Sequence, residues 1–342
     1  MTRLIFSTLL VFSIAATPRW TTLQTGVKAR LRGVSAVSQK IVWASGSMST
    51  AIRSVDGGSS WQTLAVTTDQ LDFRDVDAID GNTAYILSIG NGPASRIYKT
   101  TDAGASWQLQ FKNEDPKAFY DSMSFWDATH GIAIGDSVEG QFCILITTNG
   151  RDWVRVPSSA LPRALDSEGA FAASGTNVAL FGKTHAWIAT GGAAKTRVLR
   201  TNDGGRTWSI VDTPLKAGPS SGIFSIAFRD ARHGIVVGGD YREEKLAVDN
   251  AAITSDGGLT WQLVKGLSGY RSAVDYVPGT KWVVAVGPSG SDFSADDGQT
   301  WRSIAGPGFD TLSFVPSPRK EAAVAFAAGV NGTLARLEFK RN

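Results

Sequence analysis

Apolar positions in this chain come in short alternating runs, and no stretch carries a helical 3.6-residue period. Residues 120–125 (YDSMSF) predict a strand, 127–130 (DATH) a turn ahead of Gly131, and 132–135 (IAIG) a second strand; a loop then leads to a third strand at 142–147 (FCILIT). The same order returns further on, with strands at 223–228 and 234–238, a turn at 230–233, a long loop, and a third strand at 251–254. Each third strand runs into one recurring phrase. SVDGGSSW (54–61), TTDAGASW (100–107), TNDGGRTW (201–208), TSDGGLTW (254–261) and SADDGQTW (294–301) align without gaps, and TTNGRDW (147–153) is one residue shorter with Asn149 in place of the acid. Successive tryptophans stand roughly 40 to 55 residues apart, the length of a four-stranded blade.

Each position of the phrase has a physical task. Asp56, Asp102, Asp203, Asp256 and Asp296, with Asn149, are placed to accept backbone N–H groups inside a tight turn. The glycine two residues on, Gly58 in the first copy, supplies positive φ. The preceding Ser or Thr bonds locally. Trp61, Trp107, Trp153, Trp208, Trp261 and Trp301 open the next strand and offer a large surface to bury between sheets. Six units carry the phrase, and a seventh, 309–339, has none. The segment RWTTL (19–23) is similar to SWQTL (60–64), so residues 20–23 are expected to complete the seventh unit and close a ring. The predicted fold is all-β: a seven-bladed β-propeller of four-stranded antiparallel blades, one domain over 17–342.

Composition narrows the setting. Of 342 residues, 42% are hydrophobic and 19% charged, which suits a globular chain with a large core. A net charge of +3 without blocks of like charge gives no case for nucleic acid or an anionic membrane as partner. Arg3, an apolar run over 4–16 and the small residues Ser13, Ala15 and Ala16 read as a cleaved signal peptide, 1–16, too short for a stable membrane span. The expected location is periplasmic or extracellular, as a monomer. Cys143 is the single cysteine, so no intramolecular disulfide forms, and it is expected to be a buried, inert thiol.

The repeated phrase resembles the Asp-box of bacterial neuraminidase repeats, found in sialidases, sortilin-type receptors and many secreted propellers. Together with FRDARHGIVVGG (228–239), it looks most like the photosystem II stability and assembly factor group and its non-photosynthetic bacterial relatives. That resemblance implies a propeller that uses a basic patch to hold a protein partner. A sialidase resemblance would imply three arginines on a carboxylate, a Tyr–Glu pair and an Asp acid/base; the Arg-Ile-Pro phrase of that family is absent here.

Arg32, Arg74 and Arg271 recur where first strands begin and form a candidate cationic patch at the central channel. Asp136 and Glu139 (blade three), Glu168 (before blade four) and Asp240, Glu243 and Glu244 with Tyr241 (blade five) belong to loops expected on that same face. Paired carboxylates there would suit glycoside hydrolysis; a solvated loop set is the plainer account. The loop 240–249 lacks the spacing of known calcium loops, and His130, His185 and His233 sit on separate hairpins without ligand spacing, so no metal is expected. Gly90-Asn91-Gly92 lacks a βαβ context, and no cofactor is expected. The sequence therefore points to a non-enzymatic binding or assembly propeller for a protein or glycan partner, with a glycan hydrolase as the alternative and an oxidoreductase as a weaker one. Variable loops opposite the repeated turns define the expected working face.

Overall fold

In the computed structural model, which describes residues 18–316 and 322–339, seven separate four-stranded antiparallel sheets surround a central channel. The leader expected at 1–16 lies outside the described residues. The innermost strands are Leu31–Ala36, Asp72–Ala78, Tyr120–Phe125, Val178–Phe181, Ser221–Phe228, Ala273–Tyr276 and Thr311–Phe314, which number blades one to seven. Six sheets run outward in chain order. The seventh takes its outer strand from the other end of the chain: Trp20–Leu23 pairs antiparallel with Leu334–Phe339, Trp20 opposite Leu337 and Leu23 opposite Leu334.

The core lies between blades rather than at one centre. Seven apolar clusters each join two neighbouring sheets, one for every interface around the ring. Each repeat tryptophan packs against the blade before its own; Trp208 of blade four, for example, joins Ile132, Ile134 and Ile144 of blade three. At the interface of blades six and seven the same position is filled by Trp20, which stands 4.7 Å from the Phe309 ring and donates to Ser291 Oγ at 3.2 Å. The closing strand thus supplies a whole repeat equivalent, tryptophan included.

The repeated turns close as their residue types require. In the first, Ser60 N and Ser60 Oγ donate to the two Asp56 oxygens at 2.9 and 2.6 Å, and Gly58 N donates to Ser54 Oγ at 2.8 Å. Gly58 has φ of +90°, and a Cβ there would lie 2.5 Å from Leu23 of the closing strand, so only glycine fits. In the shortened turn, Asn149 Oδ1 accepts from Arg151 N and Asp152 N, each at 2.9 Å, and its amide donates to Asp152 Oδ2 at 2.8 Å. His130 and His233 are turn residues beside Asp127 and Asp230, at 3.0 Å in each case, and His185 begins a second strand. Cys143 is fully buried, and burial raises its pKa.

Innermost strands of neighbouring blades belong to different sheets, so their N–H groups need other acceptors. Side chains supply them across the gap. Ser35, Ser225 and Ser313 hydroxyls accept from Ala78, Val274 and Ala36 at 3.0, 2.9 and 3.2 Å. Asp75, Asp77 and Asp275 accept from Met123, Phe125 and Phe314 at 2.7, 2.9 and 3.4 Å.

Three outcomes follow. Asp203→Ala should lower unfolding free energy by about 1–3 kcal/mol in urea titrations, because turn amides lose their acceptor. Hydrogen bonds from Ser60 and Ser54 hold Asp56 at about 2, and those from Ser106 and Thr100 hold Asp102 there as well, so their stabilisation is complete above the unfolded carboxyl pKa near 3.8 and is lost as pH falls towards 2. Deleting residues 20–23 should open blade seven, lower the melting temperature and promote aggregation on light scattering; a variant as stable and dispersed as the parent would refute closure by that strand.

Candidate functional site

Antiparallel pairing puts the repeated turns at one end of every blade and the starts of innermost strands at the other. At that second end all seven blades line a cavity of about 530 Å³. Its cationic side is Arg30, Arg32 and Arg74; its acidic residues are Asp121, Asp136, Glu244 and Asp310; Ile89, Phe119, Phe171, Phe224, Tyr241 and Tyr270 form apolar walls.

The floor is a segment of blade four that crosses the channel axis. Arg32 Nη1 donates to the Ala173 carbonyl at 3.1 Å and Arg74 Nη1 to that of Ala172 at 2.7 Å. The Ala170 and Ala172 amides bond Asp136 and Asp121. Ser174 Oγ donates to the Ser272 carbonyl of blade six at 2.7 Å, and Thr311 Oγ1 of blade seven to the Ser174 carbonyl at 2.9 Å. Gly175 has φ of +73°, and a Cβ on it would come within 2.3 Å of Asp75 Oδ1. No side chain fits at that point of the floor.

The charges are unevenly satisfied. Arg30 is held by both Asp310 oxygens at 2.8 and 2.7 Å, and Arg74 by Asp72 at 2.9 Å. Arg32 has no carboxylate partner among the described residues; burial, then the neighbouring Arg74 and Arg30, lower its pKa to about 10 against the pull of Asp310. Burial raises Asp136 to about 6, and burial with the neighbouring Asp136 charge raises Asp121 well above the usual range. Asp121 Oδ2 is buried and has no hydrogen-bond partner among the described residues.

Of the residues singled out from the sequence, Arg32, Arg74, Asp136, Tyr241 and Glu244 meet at this mouth. Arg271 does not, and the expected three-arginine patch is corrected to Arg30, Arg32 and Arg74. Arg271 is 0% exposed because Asp292, on the third strand of its own blade, draws the guanidinium inward (2.8 Å from Nε), where the Tyr270 carbonyl also accepts at 2.7 Å. Glu168 is equally withdrawn: it pairs with buried Arg197 and accepts from Thr190 Oγ1 and Leu165 N at 2.7 and 2.8 Å. Glu139 sits on an exposed hairpin with Lys117 at 2.7 Å. Asp240 accepts from Arg242 N and Ser221 Oγ, both at 3.0 Å, and so shapes the loop that carries Tyr241. The sequence reasoning missed Arg30, Asp121, Phe171, Phe224 and Asp310. The one available signal was the run of small residues ahead of the fourth innermost strand, too narrow to be an ordinary blade edge.

Beneath the floor, at the end bearing the repeated turns, a second cavity of about 230 Å³ contains Asp75, Asp77 and Asp275 and no lysine or arginine. Burial raises Asp77 and Asp275 to about 6. These acids are the inter-blade acceptors described above, doing in two blades what serine does in others. Among the described residues, no group of three or more His, Cys, Asp or Glu side chains could hold a metal ion, and no helix is long and apolar enough to cross a membrane.

Fold and mouth together define a seven-bladed propeller with a floored central cavity opposite its repeated turns. Solved structures share this fold. YCF48 bound to D1 peptide superposes with a TM-score of 0.67 at 17% identity, covering 95% of this chain and all of that one. YCF48 from Cyanidioschyzon merolae gives 0.64 at 16%, covering 93% and 98%. An ancestral GH74 enzyme gives 0.66 at 16%, covering 94% of this chain but 46% of its own. No protein-family profile matches the chain, and no curated protein matches it either.

Asp77→Asn should test the channel acids. A raised folded-state pKa means that the native state holds more protons than the unfolded chain between about pH 4 and 6, so stability falls as pH rises through that window. The amide keeps an acceptor for Phe125 and cannot ionise. Denaturant titrations should show a shallower fall from pH 4 to 7, by on the order of 1 kcal/mol.

Proposed function

We propose that this chain is an exported, non-enzymatic binding propeller that holds a polypeptide partner at the channel mouth. The observation that carries the reading is Arg32: a half-buried guanidinium in a seven-blade cavity whose only hydrogen-bonded partner among the described residues is a neutral carbonyl. A carboxylate from a partner would form a stronger, charge-assisted bond with it. The likeness to YCF48, one structure of which holds a D1 peptide, supports a protein over another class of ligand. Rigid blades carrying unequal loops on this face suit recognition. The proposed export, to the periplasm or outside the cell, is supported by the charged and apolar leader read in the sequence.

The glycan-hydrolase reading draws on the Asp121–Asp136 pair and on the GH74 likeness. It fares less well on chemistry. Hydrolysis needs one protonated and one ionised carboxyl reaching the same bond. Here both acids are pushed towards the neutral form, and both hold amides of the channel floor.

An Arg32→Gln/Arg74→Gln double variant keeps donors for the floor carbonyls and should melt within a few degrees of the parent. It should recover little of the partner that the parent captures from a periplasmic extract, and capture by the parent should weaken as salt rises. Equal recovery by both proteins would sink the mouth as the binding site. Turnover of β-glucans or sialosides by the parent, abolished by Asp136→Asn, would establish the hydrolase instead.

A further inference from the structure

The mouth has a second chemical character beside its charge. Phe171 stacks face to face on Phe224, with ring centres 3.9 Å apart and planes 6° from parallel. Tyr270 packs edge-on against Phe224 at 4.7 Å, and Tyr241 meets Phe171 and Phe224 edge-on at 6.4 and 6.1 Å. Phe224 and Tyr270 are buried and form the support. Phe171 is half-buried and Tyr241 is 42% exposed, so these two present apolar surface to the cavity. A tyrosine this exposed on a loop pinned by Asp240 offers a large contact area with little rotamer freedom to lose.

This wall lies next to the arginine. Ala173, whose carbonyl takes the Arg32 bond, packs in the same apolar cluster as Phe224, Tyr270 and Phe171. Phe171 and Ala173 are two residues apart in one segment, which spans at most about 7 Å. Alternate side chains of an extended peptide, which point to the same side, cover that distance. Asp310 is committed to Arg30 through both oxygens, so it does not neutralise Arg32 by direct contact.

Resting on the reading of the mouth as a polypeptide site, we propose that it selects a segment in which a bulky apolar side chain stands beside a carboxylate. The carboxylate bonds Arg32 and Arg74, and the apolar side chain lies against Phe171 and Tyr241. Charge alone would accept any acidic stretch; the aromatic wall restricts the choice.

The test uses capped tetrapeptides and the mature chain, with dissociation constants from calorimetry or NMR titration. Phe-Ala-Asp-Ala, which puts both side chains on one side of an extended chain, should bind tightest. Replacing Phe by Ala, or Asp by Asn, should each weaken binding about tenfold, and the Asp preference should shrink in about 0.5 M salt. Tyr241→Ala, an exposed loop change, should remove most of the Phe preference and leave the Asp preference intact. Arg32→Gln should do the reverse; if that variant fails to fold, the salt dependence and the Asn peptide report the same contact in the parent. Equal binding of the Phe and Ala peptides, with Asp still preferred over Asn, would overturn the apolar subsite and leave the mouth reading standing. No Asp preference for any peptide would overturn the mouth reading itself.

Discussion

The structure depends on the burial of one sheet face against the next. A four-stranded blade has apolar side chains on both faces, and neither face has a partner within its own sheet. Only a neighbour on each side removes that surface from water, so the set is satisfied when the ring closes and not before. Every other feature follows from this constraint. The tryptophans thicken the outer part of each interface, the repeated turns hold them at a fixed height, and Trp20 is recruited from the far end of the chain because the seventh interface would otherwise lack its indole.

Closing a ring of sheets leaves innermost strands with amides facing a gap. Short acceptors bridge it, and serine and aspartate are interchangeable in this role. That accounts for three buried acids in the lower part of the channel, whose lining has no lysine or arginine: they are ties between blades. Their cost is a carboxyl forced towards its neutral form, as at Asp77 and Asp275. The same channel is crossed by the Ala-rich segment of blade four, which turns its upper part into a shallow cup. Arginines and acids that grip this floor also face the cup, so one set of side chains fixes the site and lines it.

Much of this was legible from residue spacing. The turns at Asp56, Asp102, Asn149, Asp203, Asp256 and Asp296 announce themselves because the motif is local: every group needed to close it lies within eight residues. Closure by residues 20–23 was also readable, through its likeness to 60–64. The site was legible only in outline. Arg32 and Arg74 were found by their position at strand starts, and by that rule Arg271 belonged with them. What withdrew it was Asp292, a residue 21 positions away on another strand, and no one-dimensional pattern reveals which arginine a given acid will capture. Glu168 was lost to Arg197 in the same manner. Phe171 was invisible for a different reason: a segment crossing the channel axis has neither strand nor helix periodicity, and its small residues resemble a loop.

The exchange of the outer strand has a bearing on how the molecule is made. Among the described strands Trp20–Leu23 comes first in chain order, yet its partner, Leu334–Phe339, comes last. Loop closure across nearly the whole chain is entropically slow. Six blades can assemble as they appear, each docking on its predecessor, while the leading strand waits unpaired. Pairing of the two ends therefore also covers the last edge: without it the seventh blade keeps an open row of unpaired backbone groups on which another chain can add.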